Sequence, residues 1–117
     1  MFKKQLLFYS FLLNLILIIL HEMDAVLWKE WRIFGLDNDI VGMKIFIIAH
    51  LPLLFILLLS LIKIDTIFGK IVSIILSSYM ILHFFLHYSA LTKSYFNDTF
   101  SFTIITCIML TSIIQLT

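Results

Sequence analysis

Four long apolar runs separated by short charged links restrict this chain to few folds: Gln5 to His21, Ile40 to Ile62, Thr66 to Leu91 and Thr99 to Thr117. A helix rises about 1.5 Å per residue, so each run approaches or exceeds the roughly 30 Å thickness of a hydrocarbon core. The 62% hydrophobic and 13% charged residues lie far from the soluble norm of roughly 45 to 50% and about 25%. Only three Gly and one Pro interrupt the apolar material. Uninterrupted runs favour helices over the roughly 10-residue alternating strands of a membrane barrel. The expected fold is all-α, a single domain over residues 1–117 forming a bundle of four transmembrane helices. The lipid bilayer is then its first partner, and a homo-oligomer or a second membrane protein is a further one. A net charge of +1 without a basic patch argues against nucleic acid.

The links refine this picture. Lys63, Ile64 and Asp65 alone join the second and third runs, which requires an antiparallel hairpin with Asp65 as the expected N-cap. Asn97, Asp98 or Thr99 supplies the cap of the fourth helix. The first link, Glu22 to Asp39, is too long for a structureless loop in so small a chain. Met23, Leu27, Trp31 and Phe34 draw one apolar stripe there, with Lys29 and Arg32 on another face. An amphipathic segment over about 22–34 is therefore expected, either extending the first helix out of the membrane or lying in the interface, stopped at Gly35 and anchored by Trp28 and Trp31. The N-terminal Lys3 and Lys4 followed by an apolar run resemble a signal peptide, but no small-residue cleavage site follows, so the run is read as an uncleaved first helix. Lys3, Lys4, Lys63 and Lys70 balance Lys29, Arg32, Lys44 and Lys93, and six acids dilute the second group. That balance places both termini on the cytoplasmic side of a bacterial cytoplasmic membrane. The single Cys107 excludes an internal disulfide.

Depth turns the histidines into a constellation. His21 lies about 25 Å of rise beyond Lys4, and His50 about 9 Å beyond Lys44 on a helix entering from the far side. His83 and His87 lie about 20 and 25 Å beyond Lys70. All four reach one leaflet from three helices. His83 and His87 are an i, i+4 pair on one face, a spacing that offers two imidazoles to one ion. His50 stands two residues before Pro52, whose ring bends the helix and frees a carbonyl. Asp24 shares the His21 face and Glu22 adjoins it, as ligands, as orienting partners or as acid/base groups. Between His21 and Arg32 no acid stands three or four residues from a lysine or arginine, so these charges need partners on other elements or in solvent.

Imidazole with carboxylate suits zinc or non-haem iron, and paired imidazoles on facing helices suit a b-type haem. The expected site therefore comprises His21, His50, His83, His87, Asp24 and Glu22. The rival is a non-enzymatic protein whose histidines and carboxylates form an interhelical hydrogen-bond network or a proton-sensitive switch within a larger complex. No zinc-protease H-E-x-x-H is present, because Ala25 stands where its second histidine belongs. Nor is there a phosphate-cradling Gly-rich loop, a nucleophile elbow or a redox cysteine pair. No substrate and no catalytic residue is specified, and whether the chain is an enzyme stays open.

HE-x-DA followed by EW in His21 to Trp31, HLP in His50 to Pro52, HFFLH in His83 to His87 and YFND in Tyr95 to Asp98 occur in this order. In that combination the chain resembles an uncharacterised family of small four-helix bacterial integral membrane proteins. The resemblance implies a four-helix architecture and a domain of unknown function, with no substrate or catalytic residue attached.

Overall fold

The computed structural model describes residues 2–88 and 99–117. Four helices make up the fold: α1 (Phe2–Leu27), α2 (Asp39–Ile62), α3 (Ile67–Leu86) and α4 (Thr99–Leu116). All four are long and apolar enough to cross a membrane. Among the described residues there is no strand.

The helices alternate in direction. Lys4 at the start of α1 pairs with Asp65 in the α2–α3 turn at 3.3 Å, while His21 near the end of α1 meets His83 near the end of α3. The end of α4 returns beside the start of α1, since Lys3, Lys70 and Thr117 line one recess. This is an up-down-up-down bundle, 48 × 27 × 18 Å across. One end carries the chain termini and the other carries the histidines.

The interior inverts the soluble pattern. Phe11, Leu15 and Ile18 of α1 pack with Leu57 and Leu61, Leu76 and Met80, and Ile104 and Ile108 of the other helices. Beside them, Asn14 and Ser60, Ser77 and Ser112 are fully buried. Phe55, Ile48 and Ile75 stand outward, each more than 60% exposed. Asn14 Nδ2 donates to Ser112 Oγ at 2.9 Å and to Gln115 Oε1 at 3.0 Å. Gln115 Nε2 in turn donates to Ser73 Oγ at 2.6 Å. This chain of amide and hydroxyl groups ties α1 to α4 and α4 to α3, and interhelical bonds of this kind contribute about 0.6 kcal/mol each in lipid.

Several local expectations change. The first helix does not stop at His21 but continues to Leu27, because residues 22–27 hold no breaker and His21, Asp24 and Ala25 face the bundle. Of the two arrangements expected for 22–34, the extension of the first helix is found as far as Leu27. Lys29 adopts a left-handed backbone, φ 56°, which costs a non-glycine residue roughly 1 to 2 kcal/mol and ends α1. A short 3-10 helix follows over Glu30–Phe34 and closes at left-handed Gly35, φ 77°, the expected stop. Lys29 Nζ holds the turn by donating to Asp39 Oδ2 at 2.6 Å, and Arg32 donates to Oδ1 through Nε and Nη2 at 3.0 and 2.8 Å. Both cations thus find their acid at the start of the next helix.

Trp31 is not an interfacial anchor. It is 2% exposed, its indole lying on Gly42 of α2 where a Cβ would collide with the ring. Trp28 does stand outward. At the α2–α3 turn the cap is Thr66 rather than Asp65. Its hydroxyl accepts from Gly69 N at 3.2 Å and donates to the Lys63 carbonyl at 2.7 Å, leaving Asp65 to Lys4. Asn38 caps α2 by accepting from Val41 N at 3.1 Å, and α2 runs on through Pro52. The expected caps Asn97 and Asp98, the YFND stretch, Lys93 and the continuation of the third helix to Leu91 lie outside the described residues.

Candidate metal centre

The end of α1 carries His21, and the last turn of α3 carries His83 with His87 just beyond it. Because His83 and His87 are one turn apart, their rings meet edge-on on the same face, with centroids 4.2 Å apart and planes inclined at 62°. The bundle packing brings His21 against both, with centroids 5.1 Å from His83 and 5.5 Å from His87. Donor atoms of the three side chains all lie within 4.8 Å of one another, and the three could hold a metal ion. His21 is 3% exposed and His87 6%.

The closest approach is between Nε2 of His21 and Nε2 of His83, at 3.0 Å. Two nitrogen lone pairs cannot face each other at that distance without a hydrogen or a cation between them. With no ion, one ring donates to the other. Tetrahedral zinc with bonds of about 2.0 to 2.1 Å separates its imidazole nitrogens by about 3.3 Å, so a small outward shift would admit an ion. His21 Nδ1 is buried with no hydrogen-bond partner among the described residues. Ligating histidines commonly donate this second nitrogen to a carboxylate or carbonyl. Asp24, the expected candidate, is buried at 3% exposure but makes no hydrogen bond to a histidine among the described residues.

His50 stands apart from the trio. Its Nδ1 lies 2.6 Å from the Phe46 carbonyl, an atom that can only accept, so Nδ1 carries the hydrogen. Its Nε2 lies 3.0 Å from Glu22 Oε2. One proton must therefore sit between Nε2 and the carboxylate, as imidazolium with carboxylate or imidazole with carboxylic acid. His50 and Glu22 form a proton-holding pair, one residue along α1 from His21.

A cavity of about 150 Å³ joins the two groups, lined by His21, His83, Glu22 and His50. The same cavity is lined by Glu30, a residue absent from the expected site. Glu30 is 8% exposed, and burial, aided by the carboxylates of Glu22 and Asp24, pushes its carboxyl up to about 7. The 3-10 helix that buries Trp31 folds Glu30 back over the histidines. A clue was present in the sequence: Glu30 lacks a lysine or arginine at helical spacing.

A family model described as a family of unknown function (DUF6713) matches residues 7–117. The chain belongs to that family. No curated protein and no solved structure matches it. The matched stretch contains His21, His83 and His87, the Glu22–His50 pair and Glu30, so all of these belong to the domain that defines the family.

Proposed function

We propose that this chain is a small multi-pass membrane protein that holds one transition-metal ion, zinc or non-haem iron, between His21, His83 and His87. The observation that carries this reading is the convergence of three imidazole donors within 4.8 Å from two helices. The membrane assignment rests on four apolar helices and on the inverted packing, with amide and hydroxyl groups inside and large aliphatic side chains outside. Lys3, Lys4, Lys63 and Lys70 gather at the end that carries the termini, while Lys29 and Arg32 at the other end are taken up by Asp39. That asymmetry supports a cytoplasmic placement of the termini.

The spacing favours an ion over haem. Two imidazoles that ligate haem iron stand on opposite faces of the macrocycle, whereas His21 and His83 touch. The neighbouring cavity of about 150 Å³ is also below the roughly 300 to 1,000 Å³ of sites for larger ligands. Three protein ligands with a fourth position left open is the arrangement of catalytic rather than structural zinc. Here two of the three, His21 and His83, line a cavity that Glu22 and His50 also line. A water bound to the ion would become acidic, and the neighbouring pair could take its proton. Asp24 and Glu30 complete an acidic surround for a cation. The reaction class this geometry supports is metal-assisted hydrolysis of a substrate small enough for the cavity.

The second reading is a non-enzymatic, proton-sensitive membrane protein, favoured by the direct His21–His83 hydrogen bond. Metal analysis and a visible spectrum of detergent-purified protein separate the two. The metal reading predicts about one zinc or iron per chain, lost in His83→Ala and His87→Ala, and no haem band. Absence of stoichiometric metal, with both variants as stable as the parent, would contradict it and favour the network.

A further inference from the structure

A second recess lies at the opposite end of the bundle, between the start of α1, the start of α3 and the end of α4. Its volume is about 400 Å³, within the range of small-molecule sites. Leu6, Leu7, Ile74 and Ile114 form apolar walls, Ser73 and Gln115 supply polar atoms, and Lys3 and Lys70 stand at the edge. Neither lysine lies within ion-pairing distance of a carboxylate among the described residues, whereas their neighbour Lys4 is held by Asp65. Two unneutralised cations above an apolar slot match an amphiphile with an anionic head.

We infer that this recess binds one anionic phospholipid, its phosphate between Lys3 and Lys70 and part of an acyl chain along Leu7, Ile74 and Ile114. The inference rests on the membrane reading above but not on the metal. A basic pocket between membrane helices recognises the head by charge, and at a bilayer surface each lysine strengthens attraction to anionic lipid by about fivefold. The acyl chain supplies contacts that a free phosphate lacks, so the occupant is a lipid rather than a soluble anion. Lys44 belongs to the histidine end and is exposed, which makes it the internal control.

The test uses the full chain in a zwitterionic detergent, with phosphatidylglycerol, phosphatidylcholine or inorganic phosphate added. Native mass spectrometry counts retained lipid, and thermal unfolding reads stabilisation. One phosphatidylglycerol should be retained per chain and should raise the unfolding midpoint, while phosphatidylcholine and phosphate should do neither. The double variant Lys3→Gln/Lys70→Gln should bind phosphatidylglycerol about thirtyfold more weakly, with helix content by circular dichroism unchanged, and Lys44→Gln should behave as the parent. If the double variant fails to fold, the two single variants replace it, each expected to weaken binding about fivefold. Equal retention of both lipids, undiminished retention in the lysine variants, or equal stabilisation by phosphate would overturn the lipid site. Cell fractionation reports separately on the membrane reading: a chain recovered in the soluble fraction would sink that reading itself, while a chain in the membrane fraction without lipid discrimination sinks only the site.

Discussion

Glu30 makes the stability of the fold depend on pH. Burial favours its protonated form, so its carboxyl titrates near 7 when folded and near 4.5 in the unfolded chain. Between those values the folded state binds the extra proton. The Glu30 contribution to stability is therefore most favourable below about pH 4.5, falls as pH rises, and becomes the full penalty above about pH 7. A gap of about 2.5 pH units at about 1.4 kcal/mol each makes that penalty of order 3 kcal/mol. The groups around Glu30 are Glu22 and Asp24 of α1, His50 of α2, and Tyr79 and His83 of α3. Glu30→Gln removes the titrating group and keeps the shape, so it should stabilise the protein at pH 8 and change little at pH 4. Unfolding in detergent at several pH values checks this, and parallel pH profiles for parent and variant would contradict it. His50 and Glu22 show the complementary case, in which the Phe46 carbonyl fixes one ring hydrogen and thereby requires a second proton between imidazole and carboxylate.

At the scale of elements, the segment between α1 and α2 is the device that closes the site. Lys29 turns the chain, Asp39 holds the turn through Lys29 and Arg32, and Trp31 settles on Gly42, with Phe46 beside it at 6.0 Å between ring centroids. A larger residue at position 42 cannot coexist with that indole. Gly42→Val should destabilise the protein by about 1 to 3 kcal/mol, typical of overpacking, and release Trp31 and the Glu30 beside it. The check is tryptophan fluorescence, expected to shift to the red and to become accessible to quencher; an unchanged spectrum would show that the ring does not depend on Gly42. This segment also shows where sequence reasoning reached its limit. The apolar runs, the antiparallel hairpin and the Gly35 stop follow from length and backbone chemistry that a single segment carries. The inward turn of Trp31 does not, because the stripe through Met23, Leu27, Trp31 and Phe34 assumes one continuous helix. The left-handed residue at Lys29 breaks that helix, and Asp39, which pairs with it, lies on another element. The same holds for Thr66 displacing Asp65 as cap, since Asp65 is engaged by Lys4.

At the scale of the molecule, the bundle has two chemically distinct ends separated by an amide and hydroxyl layer through Asn14, Ser112, Gln115 and Ser73. The termini end is basic, and the opposite end gathers imidazoles and carboxylates. Depth along each helix was enough to bring the histidines to one end, because a rise of about 1.5 Å per residue is nearly invariant. The partition within that end was not legible, since whether His50 joins the trio or pairs with Glu22 depends on the rotation of α2 against α1, which only packing determines. X-ray absorption at the zinc edge of zinc-loaded protein reads directly whether His21, His83 and His87 share one ion across α1 and α3. A shared ion gives about three imidazole nitrogens at about 2.0 to 2.1 Å from the metal, with the imidazole scattering lost in His83→Ala. A zinc shell made of oxygen alone, or one identical in parent and variant, would contradict it.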